Sequence, residues 1–168
     1  ERLGIQSRLV ILGDWVLVLL DSSVPGQVYG QLAASELDFL EHALQAHSDK
    51  HVIVCLHHQP VLVGSAWIDQ YILRNADAFF QLLDSYTQVK IVTWGHVHQE
   101  FQQQRKGVTL LATPSTCVQF KPKCDEFTVD TQMPGYRWFD LRADGSFDSG
   151  VARVTNKQYV IDYRSAGY

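Results

Sequence analysis

The chain has 168 residues, 46% apolar and 19% charged, with 18 acidic against 14 basic side chains and a net charge of −4. At about 150 residues per domain this is the length of one domain, and the ordinary glycine and proline content excludes collagen-like and low-complexity arrays. The acidic balance excludes a protein that grips a nucleic-acid polymer through a basic face, and the longest apolar run, 15–20, is far short of the ~20 residues of a membrane span.

In chain order, the first strong signal is Trp15-Val16-Leu17-Val18-Leu19-Leu20, preceded by a Gly13-Asp14 pair that reads as a hairpin turn. Ser35 with Asp38 three positions on predicts a cap, and Leu37, Leu40 and Leu44 then recur at helical spacing, which predicts a helix over 36–46. Val52-Ile53-Val54-Cys55-Leu56 is a second apolar run. Asn75 is placed to cap a helix that carries Phe79, Leu82 and Leu83 to about Tyr86, and Val89-Lys90-Ile91-Val92-Thr93-Trp94 is a third run. Short, β-branched and non-alternating runs suit strands covered on both faces. Strand, helix, strand, helix, strand predicts a βαβαβ unit with parallel pairing, and so an α/β chain.

After Trp94 the segments 100–104, 108–112, 136–141 and 146–154 read as strands with no helices between them. They are joined by turns at Lys106-Gly107 and Ala143-Asp144-Gly145 and so are expected to pair antiparallel. Residues 113–134 form a long irregular stretch holding Cys117, Cys124, Lys121 and Lys123, read as ordinary loop residues in preference to substrate or partner contacts. Residues 1–152 are expected to form one domain and 153–168 a polar tail.

The chemistry lies in the histidines. His57 and His58 directly follow the second strand, and His96 and His98 follow the third after Gly95. In open parallel sheets ligands sit beyond the carboxyl ends of the strands. In extended backbone His96 and His98 would point to one side, with Val97 pointing away. Neutral imidazoles that converge in this way suggest a metal ion. Gln99 and Glu100 could orient them. His42, His47 and His51 have no partner in view and are expected to be solvated. Three cysteines form neither a CxxC pair nor a dense framework, which predicts free thiols, an inert core position for Cys55, and a reducing, cytoplasmic setting. The first residue is Glu1 and the one methionine is Met133, so a leader segment would lie upstream of this sequence.

The histidine pairs sit in longer strings: Leu56-His57-His58-Gln59-Pro60, Trp67-Ile68-Asp69-Gln70, Leu73-Arg74-Asn75-Ala76, Gly95-His96-Val97-His98-Gln99-Glu100, and 112–122, which reads ATPSTCVQFKP. Together these resemble the calcineurin-like metallophosphoesterases, and among them the bacterial 3′,5′-cyclic-AMP phosphodiesterases, from about Arg8 to the terminal Ala166-Gly167-Tyr168. The resemblance implies the C-terminal part of a four-layer α/β/β/α sandwich whose active site holds two metal ions, iron, manganese or similar. His57, His96 and His98 match the family's single-His and Gly-His-x-His ligand blocks; His58 is the less favoured choice within its pair. The three blocks that supply the family's aspartates, asparagine and phosphate-contacting histidine have no counterpart here.

The implied activity of the intact protein is hydrolysis of 3′,5′-cyclic AMP to 5′-AMP. This chain alone is expected to be inactive, to bind metal weakly and to self-associate. Two other readings remain at this point: a mononuclear hydrolase with a three-histidine site, and a non-catalytic oligomerising domain.

Overall fold

The computed structural model describes residues 8–157. Leu9–Leu12 (β1) and Trp15–Leu19 (β2) form the expected antiparallel hairpin, with Gly13 at a positive φ of 58° in its turn. His51–Leu56 (β3) and Val89–Trp94 (β4) follow, parallel to β2 and to each other. Helix Ala34–Ala46 (α1) connects β2 to β3, and the short helix Ala66–Asp69 (α2) and Ala76–Leu83 (α3) connect β3 to β4. The βαβαβ unit is present; α2, a single turn, leaves no periodic trace in sequence.

Phe101–Arg105 (β5) and Val108–Ala112 (β6) form an antiparallel hairpin through Lys106-Gly107, both at positive φ. The expectation of purely antiparallel pairing after Trp94 is corrected here, because β6 lies between β4 and β5 and runs parallel to β4. The resulting sheet has the order β1-β2-β3-β4-β6-β5. Gly135–Leu141 (β7) and Phe147–Arg153 (β8) form a separate antiparallel pair.

Both faces of the central strands are used, which is why their sequences do not alternate. Val16, Val18, Val52, Val54, Val92, Trp94 and Leu110 point toward the helices, where they bury Leu40, Leu44, Phe79 and Leu83. Trp15, Ile53, Ile91 and Leu111 point to the other face and meet Phe139, Leu141 and Phe147 of the β7–β8 hairpin. Trp15 is anchored there by donating its indole N–H to the Arg142 carbonyl at 2.8 Å. His51, expected to be solvated, is half-buried beside Trp15, and its Nε2 lies 3.2 Å from the Ala143 carbonyl in the hairpin turn.

Neither predicted helix cap is made by the residue named for it. Ser35 lies inside α1, whose capping position is Ala33. Asn75 does precede α3, but its side chain makes no cap bond. Its amide instead brackets Leu32, accepting from the backbone N–H at 2.9 Å and donating to the carbonyl at 2.8 Å, and so ties the 20–33 loop to α3. Arg153 ends β8, donating to the Met133 carbonyl and facing Glu100. The remaining tail residues from 158 on lie outside the described residues. Among the described residues no helix is long and apolar enough to cross a membrane.

Candidate metal centre

All four parallel strands, β2, β3, β4 and β6, deliver their carboxyl ends to one rim of the sheet. There the chain leaves β2 into Asp21-Ser22, β3 into His57-His58 and β4 into Gly95-His96. Three adjacent strands thus bring polar residues together without any contribution from the sheet interior.

One ring nitrogen each from His57, His58 and His96 lies within 4.8 Å of the others. His96 Nδ1 is 3.3 Å from His57 Nε2. Two nitrogens bonded at ~2.05 Å to one tetrahedral ion would be about 3.4 Å apart, so this spacing, that of an N–H···N hydrogen bond in the metal-free chain, also suits neighbouring ligand atoms. His96 is buried, and among the described residues its Nε2 has no hydrogen-bond partner. The donor set therefore fits a borderline metal ion that prefers imidazole.

The electrostatics agree. Burial pushes the His96 pKa down to about 3, and the neighbouring imidazoles His58, His57 and His98 add to the effect. His57 is lowered by partial burial, and His58 and His98 are lowered chiefly by the same cause. All four rings are therefore neutral at pH 7, the form in which imidazole offers a lone pair. No carboxylate belongs to the cluster among the described residues.

The two members of the His57-His58 pair are not equivalent. Val28 carbonyl can only accept, so His58 Nε2, 3.0 Å away, carries the proton. His58 Nδ1 is then the acceptor for the Ser22 hydroxyl at 2.8 Å, which occupies both polar positions of the ring. Among the described residues, the His57 ring has no such partner apart from His96. This favours His57 over His58 as the ligand.

His98 stands apart from the cluster. Its ring stacks on Phe120 at 4.3 Å and 11°, and its Nδ1–H donates to the Val118 carbonyl at 3.0 Å. The Nε2 lone pair is left available, the arrangement in which a backbone carbonyl orients a ligating histidine. His96 and His98 do not share a side by strand alternation, as their sequence suggests, because neither is in extended backbone. Both residues adopt left-handed backbone, φ 59° and 49°, and Val97 N–H closes a tight turn on the Gly95 carbonyl at 2.6 Å. Val97 does point away, into the core. Left-handed backbone in non-glycine residues costs energy and tends to collect at sites where side chains must be aimed.

The loops around the rim are braced to one another. Asp69 accepts from the backbone N–H groups of Val63, Gly64 and Ser65. Ser65 Oγ in turn accepts from Gln99 Nε2 at 3.2 Å and from the Lys123 N–H at 2.9 Å. Gln99 thus holds Ser65 in place and orients no imidazole, while Glu100 faces Arg153 in solvent. Trp67, Phe120 and Phe127 pack edge to face above α2 and seat the long loop against the rim. The cysteines are free, with Cys117 exposed. Burial raises the Cys55 thiol pKa to about 11, which makes it inert. Ser22 and Ser65 carry no motif signal in the sequence; Ser22 is marked there only by its place just after a strand.

No protein-family model matches the chain. Over all 168 residues it is 47% identical to the 3′,5′-cyclic adenosine monophosphate phosphodiesterase CpdA of Pseudomonas aeruginosa, and covers 62% of that protein. It is 47% identical over 154 residues, 92% of the chain, to the Vibrio vulnificus protein of the same name, covering 56% of it. Against the Escherichia coli protein the figures are 42% over 163 residues, 96% of the chain, and 59% coverage. The chain therefore spans about three fifths of the length of these curated relatives. A dimetal phosphatase from Danio rerio shares the fold at 14% identity and a TM-score of 0.51, over 76% of this chain and 54% of that one.

Proposed function

We propose that the chain is part of a calcineurin-like metallophosphoesterase and supplies the histidine side of a dinuclear centre that hydrolyses 3′,5′-cyclic AMP to 5′-AMP; its 42–47% identity to the CpdA phosphodiesterases supports the family. The observation that carries this reading is the meeting of His57 Nε2 and His96 Nδ1 at the strand rim, 3.3 Å apart. The named activity of the 42–47% identical relatives supports the substrate.

In this reading His57, His96 and His98 are the ligands, and residues 8–157 form part of a larger catalytic domain that works in the cytoplasm. Iron and manganese are the expected ions, since both accept imidazole. When bound, the ions would supply charge neutralisation on the phosphoryl oxygens and acidify a water. The chain's own residues do the positioning. Gly95 lies beneath His57, where a Cβ would meet the ring at ordinary contact distance, 3.6 Å from its Nδ1. Val118 orients His98, and the Ser65 brace holds the long loop over the rim. Three neutral imidazoles bring no charge to offset two close cations, so carboxylates from elsewhere in the active protein complete the centre.

The test is a hydrolysis assay of the full-length protein containing this chain, loaded with Mn2+ or Fe2+. Release of 5′-AMP from 3′,5′-cyclic AMP, abolished by a chelator and by His96→Ala, is expected. Metal-dependent cleavage of other phosphodiesters with cyclic AMP untouched would overturn the substrate, and metal-independent turnover would overturn the centre.

A further inference from the structure

Building on the metal reading above, we propose that Ser22 is a positioning residue that keeps His58 out of the ligand set and aims His57 at His96. Ser22 is 1% exposed and sits at the exit of β2, one strand away from the histidines. Its hydroxyl oxygen accepts from two consecutive backbone amides, His57 N–H at 3.3 Å and His58 N–H at 3.2 Å. Its own proton goes to His58 Nδ1 at 2.8 Å. One side chain therefore fixes both the backbone of the pair and the tautomer of its second member.

The consequence for His58 is specific. With Nε2–H committed to the Val28 carbonyl and Nδ1 capped by the Ser22 hydroxyl, the ring has no lone pair to offer an ion. Yet it stands against both neighbours, 4.8 Å from the His57 ring and 4.7 Å from the His96 ring. Gly30 cradles it so closely that a Cβ there would come within 2.4–2.6 Å of the ring. His58 is thus a held wall behind the His57–His96 pair. Without the Ser22 proton its Nδ1 lone pair is freed, the ring is free to turn, and three histidines compete where two are aimed.

The experiment uses the full-length protein and reads metal binding and imidazole state separately from turnover. In the metal-free protein, 15N–1H spectra of the histidine rings should show a single Nε2–H tautomer for His58, and Ser22→Ala should convert it to a mixture. Mn2+ titration should show Ser22→Ala weakening affinity about tenfold or more, the scale on which partners behind a ligand act. Gly30→Ala, which displaces the same ring without removing the serine, should do likewise, and Ser22→Ala added to His58→Ala should cost less than Ser22→Ala alone, the loss that remains being that of the two backbone bonds that aim His57.

Wild-type Mn2+ affinity and an unchanged tautomer in Ser22→Ala would overturn the proposal. So would His58→Ala costing more affinity than His57→Ala, which would make His58 a ligand. A protein that shows the expected affinities and tautomers but leaves cyclic AMP intact would overturn the proposed activity and leave the role of Ser22 standing.

Discussion

An imidazole serves a metal ion only while it is neutral, and at this rim burial keeps it so. His96, with its pKa near 3, stays neutral in the folded chain far below the pH at which the unfolded chain protonates, near 6.5. The unfolded state therefore binds more protons between about pH 3 and 6.5, so metal-free stability is full above 6.5 and falls as pH drops through that window. His57, His58 and His98 are lowered in the same direction and add to the slope. Urea midpoints of the metal-free protein should accordingly be lower at pH 5.5 than at pH 7.5; a midpoint that is flat or rises on acidification would contradict neutral burial of these rings. For the metal-loaded full-length protein, His57→Ala and His96→Ala should each reduce Mn2+ affinity and kcat by more than the ~10–100-fold that loss of a partner behind a ligand costs. His58→Ala should do less than His57→Ala because both its ring nitrogens are already engaged. Calorimetric titration beside the hydrolysis assay would show an inverted order at once. The meeting of His57 with His96 could be read from two histidine groups ending adjacent parallel strands. The turn of His98 onto Phe120 and Val118 could not, because nothing in a Gly-His-Val-His string announces left-handed backbone at both histidines.

At the scale of elements, hydrophobic patterning was the trustworthy signal and polar side chains were not. Runs such as 52–56 and 89–94 declare buried strands because both faces must be apolar, and the helix positions Leu40, Leu44, Phe79 and Leu83 are buried. A serine, asparagine or glutamine has several ways to satisfy its hydrogen bonds, and local sequence does not choose among them. Asn75 shows the difference. Standing before α3, it reads as a cap, yet it spends its amide on both backbone groups of Leu32 in the loop that leads away from Ser22. Asn75→Ala should therefore cost about 1–3 kcal/mol, the penalty for stranding buried backbone groups. The exposed Ser35→Ala, inside α1, should stay within about 0.5 kcal/mol of wild type. Equilibrium urea unfolding of the two variants would test this; equal losses would return Asn75 and Ser35 to the same capping role.

Across the whole molecule the two sides of the sheet are unequally covered. The helix face buries a continuous core from Val16 to Phe120, whereas the opposite face is covered by one two-stranded hairpin over Trp15, Ile53, Ile91 and Leu111. Toward the histidine rim a cleft of about 250 Å³ opens among Leu19, Leu20, Cys55, Leu56 and His57. The two sheet edges also differ. Among the described residues, β5 presents Gln102, Gln103 and Gln104, which solvate easily, while β1 presents Ile11 and Leu12 at 54% and 52% exposure. An apolar edge strand is a template for another chain. The isolated 168-residue chain should therefore self-associate, with the edge at β1 as the contact, and bind metal weakly because its cluster supplies no carboxylate. Sedimentation across a range of concentrations should show dimers or larger species, and Ile11→Lys with Leu12→Lys should return the chain toward monomer by placing charge on that edge. A wild-type chain that stays monomeric while holding two equivalents of metal would refute both halves of the expectation. A double variant that associates as strongly as wild type would move the contact from the β1 edge to the sparsely covered hairpin face, where Tyr136 and Trp138 stand 61% and 43% exposed.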